Sequence, residues 1–462
     1  MNSKAIVKLI IAFSISLSLF IVPAYGQDNA AKEGKQKVIL NLDQCVKKAV
    51  EISPEIGETR YDEEVFKSKK LQADSAVYPQ IEILAAAGPS TRARGDQVFS
   101  PDNSTRPTIN GIFGSADVKL IQPIYTFGKI SSYQEAASSG MKVAAAGVGK
   151  KTSALILRTK ELYYSLLLAK DMRNLVLEIR DELVDSIKKL ERQLELGSPW
   201  AEEVHLYKLK AFLGEVEKSL NEADKGIALA KDALMTSIGL PGGTQFDIAD
   251  PSLTPENKMP EDVKDYIKHA FDLRPEFIQL REGLNAKNAL INAEKSNFYP
   301  QLFAGLAASI ADATNRDRVT NPFIYDYFNH SYGAAFLGLK WSIDFGITKG
   351  KVKEAEAEYY KLVEKKRFAD EAIPLEVRKA YLDMEEAKKN IPETEDAYKN
   401  AKRWLVTATA NFDLGVGEAK EIGDAALAYA QIKADYLRSL YNHKIASANL
   451  LYATGMDLKE TK

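Results

Sequence analysis

Apolar residues recur along this chain in two rhythms that suit different backbones. From Ala380 the uncharged positions Met384, Ala387, Ile391, Thr394, Tyr398, Ala401, Leu405, Ala408 and Phe412 step by four and three, a heptad seam. Leu162, Leu166, Ala169, Met172, Val176, Ile179, Leu183, Ile187, Leu190 and Leu194 form an earlier one, with one four-four stutter. The alanines on these seams predict close helix approach. Strict alternation marks strands: Leu302, Ala304, Leu306, Ala308 and Ile310 share one face, as do Leu337, Leu339 and Trp341. A weaker alternation runs through Ile81, Ile83 and Ala85, and through Val118, Leu120 and Ile124 interrupted by Gln122.

These segments fall in the same order twice. Ser53-Pro54-Glu55-Ile56 recurs as Arg274-Pro275-Glu276-Phe277, and Tyr78-Pro79-Gln80-Ile81 as Tyr299-Pro300-Gln301-Leu302, with 25 residues between the prolines each time. Thr126-Phe127-Gly128 matches Asp344-Phe345-Gly346, and Glu195-Leu196-Gly197 matches Asp413-Leu414-Gly415, with 69 residues from glycine to glycine in both. Ile238-Gly239 and Thr454-Gly455 end the two copies alike. Five ordered landmarks with two identical spacings predict a duplication.

The predicted organisation is therefore an address at 1–26, a first repeat at 27–240, a linker at 241–260, a second repeat at 261–455 and a tail at 456–462. In the first repeat a helix precedes strands near 80–88 and 116–125, a long helix near 129–196 and a helix near 200–238. In the second, a helix precedes strands near 301–311 and 332–344, then helices near 347–414 and 418–454. The loops near 89–115 and 312–330 are polar and aperiodic, which predicts solvent exposure. Pro374 and Pro392 should bend or interrupt the second long helix, and the first has no such prolines.

The first 26 residues read as a removable export signal. Lys4 and Lys8 precede the apolar run Leu9 to Val22, and Ala24-Tyr25-Gly26 offers small residues for cleavage before Gln27. No later stretch approaches 18 uncharged apolar residues, so a membrane could be spanned only by strands. Four strands leave two unpaired edges in lipid, and the smallest membrane barrels have about eight, so one chain would have to join copies of itself. Tyr78, Phe298, Tyr299, Tyr125, Phe127, Trp341 and Phe345 stand near strand ends, where interfacial aromatics belong. Ordinary half-buried strands capped by aromatics are the alternative.

Composition narrows the classes. With 62 Lys+Arg, 64 Asp+Glu and a net charge of −2, nothing suggests a nucleic-acid partner. At 45% apolar residues the chain can bury a core, and a single cysteine, Cys45, excludes an intramolecular disulfide or a multi-thiolate metal site. His205, His269, His330 and His443 have no ligand spacing, and no nucleophile elbow occurs. Gly346-Ile347-Thr348-Lys349-Gly350-Lys351 is one residue short of a phosphate loop and reads as a turn after a strand. An enzyme is disfavoured, and no catalytic group, cofactor or metal site is expected. A surface-anchored trimeric stalk or adhesin is the other alternative to a duct.

The Pro-Glu to Tyr-Pro-Gln spacing, Gln122-Pro123-Ile124-Tyr125-Thr126-Phe127-Gly128-Lys129, Trp341-Ser342-Ile343-Asp344-Phe345-Gly346 and the doubled Leu-Gly turn resemble the TolC family of outer membrane efflux proteins. The resemblance spans essentially the whole chain after residue 26. It implies a mainly α fold with a β-barrel, in which two tandem repeats give four strands per chain. A homotrimer would then form a 12-stranded outer-membrane barrel, continued by a long periplasmic α-helical barrel. It also implies a passive exit duct for efflux or type I secretion, in a Gram-negative-type outer membrane. The partners would be outer-membrane lipid, a periplasmic adaptor (membrane fusion) protein and an inner-membrane pump.

The same resemblance points to site residues. Acids six and nine residues after the second-repeat glycine are Glu421 and Asp424, which in three copies would ring one aperture. On a generic helix two such acids are only a solvated face. Gly417 stands where some members carry a basic residue, which removes a latch salt bridge there. Gly197 and Gly415 would cap the long helices, and Trp200 and Glu203 lie at the tip that could meet an adaptor, although Trp200 could equally pack in the core. Pro79, Gly128, Pro300 and Gly346 mark the junctions between barrel and helices.

Overall fold

Asn41 starts the first helix by a reciprocal cap. Its side chain accepts from the Gln44 backbone N–H at 2.9 Å while the Gln44 side chain accepts from the Asn41 backbone N–H at 3.0 Å. The computed structural model describes residues 37–93, 108–198, 201–255, 262–319 and 322–460. The predicted export signal and Trp200 lie outside the described residues.

Strand β1 (Val38–Leu40) leads into α1 (Leu42–Ile52) and α2 (Pro54–Ser75). Strands β2 (Gln80–Thr91) and β3 (Ile109–Tyr125) precede α3 (Lys129–Glu195) and α4 (Glu203–Ser237). A short strand β4 (Phe246–Ile248) follows, then α5 (Val263–Leu273), α6 (Pro275–Lys295), β5 (Gln301–Ala313) and β6 (His330–Lys340). Helices α7 (Ile347–Asp413), α8 (Ala419–Thr454) and α9 (Asp457–Glu460) complete the chain. The single helix expected before each strand pair is in fact two. Pro54 and Pro275 each open the second as its first residue, where a missing N–H costs nothing, and the residue before each proline leaves the helical conformation.

β2, β3, β5 and β6 form one antiparallel sheet in that order, with β2 and β6 at its edges. The strands depart from their predicted limits because backbone pairing outruns the apolar alternation. β3 begins at Ile109 rather than near 116, since Ile112 pairs with Pro89 and Phe113 with Ala313. β6 stops at Lys340, opposite the first residue of β5, so Trp341 to Ile343 alternate without a partner strand.

α3 and α7 are 67 residues each, about 100 Å at 1.5 Å per residue. Each folds back on a shorter helix, α4 on α3 and α8 on α7, while α6 packs between α3 and α7. Of the two effects expected of Pro374 and Pro392, a bend or an interruption, interruption does not occur: α7 runs through both. Each proline removes one backbone bond at a cost of about 3 kcal/mol, but Ile373, Val377, Met384 and Ile391 stay buried around them and hold the helix. The seam of α7 is the predicted one, with Thr394 and Tyr398 only half-buried. On α3 the predicted Leu166, Ile179, Leu183, Ile187 and Leu190 are buried, and burial extends to Leu167, Asp171 and Leu175, because this helix is packed on several sides at once.

The predicted linker is a packed strap. β4 pairs in parallel with β1, burying Phe246 and Ile248 beside Tyr163 and Leu234. Asp247 meets Lys37 at 2.8 Å and Lys170 at 2.5 Å; burial opposes its charge, but these hydrogen bonds bring its pKa down to about 2. Tyr163 donates to Asp250 at 2.7 Å, and the Leu253 N–H to Asp171 at 2.9 Å. The predicted tail is also docked: α9 sets buried Asp457 against Ser153 of α3, 2.5 Å away.

The loop after β5 is not simply solvated, as its polarity had suggested. Arg316 and Asp326 pair at 2.9 Å with side chains only 8% and 3% exposed, and Arg316 also donates to the Thr91 carbonyl at 2.6 Å. Phe328 lies against the guanidinium, 4.9 Å from its ring centre, so an aromatic face and a carboxylate share the desolvated charge. Residues 94–107 of the other loop lie outside the described residues.

Candidate functional site

The end of each helical hairpin farthest from the sheet is built on one backbone motif. At the first, the Gly197 N–H donates to the Leu194 carbonyl at 3.1 Å and the Ser198 N–H to Gln193 at 3.1 Å. At the second, Gly415 donates to Phe412 at 2.9 Å and Val416 to Asn411 at 3.0 Å. Gly197 and Gly415 have φ of 67° and 75°, the left-handed conformation this termination needs. Gly417 has a different reason to be glycine. A Cβ there would lie 3.0 Å from the Phe412 nitrogen and 3.1 Å from the Asn411 Cβ, so the returning chain can hug the end of α7.

Glu421 and Asp424 are exposed on α8, on the face opposite buried Ile422, Ala425, Ala426 and Tyr429. That placement follows from three-residue spacing on a helix whose other side fills the core. Glu421 lies in the first turn, where the helix dipole favours an acid. Glu203 is exposed in the first turn of α4 and accepts from the Tyr207 hydroxyl at 3.1 Å.

The two tips are joined side by side. The His205 ring sits 5.9 Å from that of Phe412, Lys189 pairs with Asp413 at 2.7 Å, and Gly423 leaves room for Phe212. About one to three helical turns above the acids lies a cluster that the sequence reading missed. Glu178 of α3 accepts from Lys402 of α7 at 2.9 Å, and from Tyr429 at 3.0 Å and Lys433 at 2.5 Å, both of α8. Burial alone would raise the Glu178 pKa, but these three donors bring it down to about 2. Lys433 following Tyr429 by four residues was its one legible trace.

At the opposite end the chain passes between helix and sheet through residues that narrow the backbone. Pro79 precedes β2 and Pro300 precedes β5, while Gly128 and Gly346 cap the starts of α3 and α7 with φ of 84° and 155°. Asp344 accepts from the N–H groups of Gly346 and Thr348 at 3.0 Å each and from the Thr348 hydroxyl at 2.6 Å. These bonds, that from the Thr348 hydroxyl first, hold its carboxyl near a pKa of 2. An aromatic band lies here: Phe127 packs 4.7 Å from Tyr125 and stacks on Tyr299 at 5.1 Å, and Trp341 donates to the Phe298 carbonyl at 3.2 Å. Beyond it, Ile81, Ile83, Leu302, Leu306, Ile310, Leu337 and Leu339 stand exposed on one face of the sheet.

Among the described residues no helix is long and apolar enough to cross a membrane, and no three His, Cys, Asp or Glu side chains are grouped to hold a metal. The Gly346 to Lys351 segment is the turn and first residues of α7, directly after the aromatic band.

Residues 266–456 match the family described as outer membrane efflux protein. No curated protein matches the chain. Among solved structures, the outer-membrane channel OprN superposes with a TM-score of 0.74 at 13% identity, covering 90% of this chain and 89% of that one. CusC, whose transmembrane channel formation has been described, gives 0.74 at 16% identity over 94% and 95%. The Campylobacter jejuni CmeC outer membrane channel gives 0.73 at 15% over 93% and 90%. At these identities the likeness is one of fold.

Proposed function

We infer that this chain, whose residues 266–456 match the outer membrane efflux protein family, is the exit duct of a tripartite efflux or type I secretion system. One observation carries this reading most. Among the described residues, a four-stranded sheet with one exposed apolar face and two unpaired edges stands on helical hairpins about 100 Å long. In lipid each unmet backbone group on those edges costs several kcal/mol, so the sheet must be closed. Three copies would supply twelve strands, enough for a barrel with a water-filled lumen, whereas one copy supplies half of the smallest barrels.

The two halves of the chain act in this reading as tandem repeats, and the helices of three copies continue the barrel as a tube through the periplasm. Glu421 and Asp424 would bring six carboxylates to its narrow end, where low-dielectric walls concentrate their field on passing ions. The turns at Gly197 and Gly415, with Glu203 exposed beside them, would be the surface offered to a periplasmic adaptor. The adaptor would in turn connect the duct to an inner-membrane pump that supplies the energy. Planar-bilayer recording of the detergent-extracted mature protein tests the duct directly. Discrete conductance steps are expected, and a protein that inserts without conducting would indicate a stalk instead.

A further inference from the structure

Where the loop after β5 returns to the sheet, side chains from four segments converge. Asp117 of β3 is in register with Ser309 of β5, and Ser309 with Tyr332 of β6, so the three share the face opposite Val118, Leu306 and Ile310. Ser309 Oγ lies 2.6 Å from the Asp117 carboxylate and 2.6 Å from Nε2 of His330, so carboxylate and imidazole are separated by one hydroxyl oxygen. The Tyr325 hydroxyl, from the loop, is 3.5 Å from the same Nε2. Both tyrosine rings lie against the imidazole, Tyr325 at 5.2 Å and Tyr332 at 5.6 Å from its centre. Burial, then the Tyr332 hydroxyl to which it hydrogen-bonds, and then the Asp117 carboxylate push the Tyr325 phenol above its ordinary value, so these oxygens belong to one cluster.

The imidazole is aimed by its other nitrogen. Nδ1 lies 3.1 Å from the Asp326 carbonyl, and Asp326 is itself pinned: its carboxylate is buried on Arg316 and accepts from the Phe328 N–H at 3.1 Å. An Nδ1–H donated to that carbonyl leaves the Nε2 lone pair directed at Ser309, Asp117 and Tyr325, the arrangement that orients a histidine as a metal ligand. The hydrogen bonds at Ser309 point the same way. Nε2 and the Asp117 carboxylate are then both acceptors, and the one Ser309 proton can serve only one of them. A cation between them satisfies both. Asp117, moreover, meets a neutral hydroxyl here, whereas the charge of Asp326 is already cancelled by Arg316.

We propose that Asp117, His330, Tyr325 and Tyr332 form a site for a ferric ion. Donor chemistry selects the ion. First-row ions take oxygen and nitrogen at about 2.0–2.2 Å, so neighbouring donors of a six-coordinate ion stand about 3 Å apart, close to the spacings of this cluster. Carboxylate and phenol oxygens are hard ligands, and none of the four groups is the thiolate or second imidazole that copper or zinc select. One carboxylate and two phenolates carry three negative charges, which a ferric ion balances; a divalent ion would leave one phenol protonated. On binding, two phenol O–H bonds break, two iron–oxygen bonds form, both protons pass to solvent and the iron stays ferric. The Ser309 hydroxyl remains beside the ion as a further neutral oxygen. Only one His and one Asp take part, so no spacing of ligand residues in the sequence marks the site.

The site lies within one chain. Its place on the lumen side of the sheet, at the end away from the long helices, rests on the duct reading above, which would set three such ions around the outer mouth.

Ferric nitrilotriacetate added to the detergent-extracted mature protein tests the assignment. The expected result is a broad visible absorption, the charge transfer from phenolate to ferric iron, that saturates at one iron per chain. Tyr325→Phe and Tyr332→Phe should each weaken the band, and the double variant should abolish it. Phenylalanine keeps the ring contacts, so these variants report ligation and not packing; each single variant is a separate reading should the double one fail to fold. His330→Gln and Asp117→Asn should each weaken binding at least about ten-fold. Tyr327→Phe is the control: its ring packs on Tyr325 at 4.8 Å but it is not one of the four ligands, and its band should match wild type. Wild type that gives no band overturns the site. So does a band that survives loss of both phenols, since the iron would then sit elsewhere, or one that is lost with Tyr327. Zinc(II) that removes the band at equal concentration overturns the choice of ion. A band from a particle of single-chain mass, or from one that inserts without conducting, supports the site while the duct reading fails; conductance without a band does the reverse.

Discussion

The carboxylate of Glu178 lies 2.9 Å from the ammonium of Lys402, and this pair bridges the two long helices of one chain. Lys433 and Tyr429 converge on the same carboxylate, so α3, α7 and α8 are tied at one level above the tips. Glu178→Ala should lower stability at neutral pH by about 1 kcal/mol, a figure discounted for the solvent that reaches the site. The sign of its pH dependence follows from the depressed pKa. The stabilisation is complete above the ordinary value of 4.5 and is lost as pH falls through about 2. Thermal melts of wild type and variant should therefore converge in acid, and a gap that persists there would assign the effect to packing.

Gly415 and Gly417 separate two reasons for a glycine. Gly415→Ala forces a left-handed residue to carry a Cβ, at about 1–2 kcal/mol. Gly417→Ala must move the backbone at Asn411 and Phe412, and its loss should be the larger of the two. Chemical or thermal denaturation of both variants checks the order.

Pro392→Ala is expected to stabilise. α7 is already helical through this position, so alanine restores a backbone bond and relieves a steric cost of about 3 kcal/mol at most, with the side chain exposed. A raised melting temperature supports this; a fall would mean that the proline sets a helix curvature the assembly requires.

Glu421→Ala with Asp424→Ala is expected to reduce cation preference in planar-bilayer reversal-potential measurements. Both acids are exposed and neither supports the core, so folding should be unaffected. Unchanged selectivity would remove them from the aperture.

The parts of this molecule governed by short-range periodicity were legible from residues alone. The heptad step of α7, the alternation in β5 and the left-handed glycines at 197 and 415 each follow from local geometry. What escaped was set by distant partners. β1 and β4 are three residues each and exist because residue 38 meets residue 246. Glu178 reads as one more surface acid until α7 and α8 bring Lys402 and Lys433 to it. The continuity of α7 through two prolines, and the burial of Arg316 with Asp326, were likewise decided by packing that no local pattern records. At the candidate tip, Glu421 and Asp424 were singled out by the family resemblance, counted from Gly415, whereas the tight fit of Gly417 against Asn411 needed coordinates.

The most direct test of the shared barrel is the mass of the mature protein after extraction, measured by light scattering with the detergent contribution subtracted. Extraction that requires detergent and a particle three times the mass of one chain are the expected results. A single chain that stays dissolved in buffer without detergent would contradict the account.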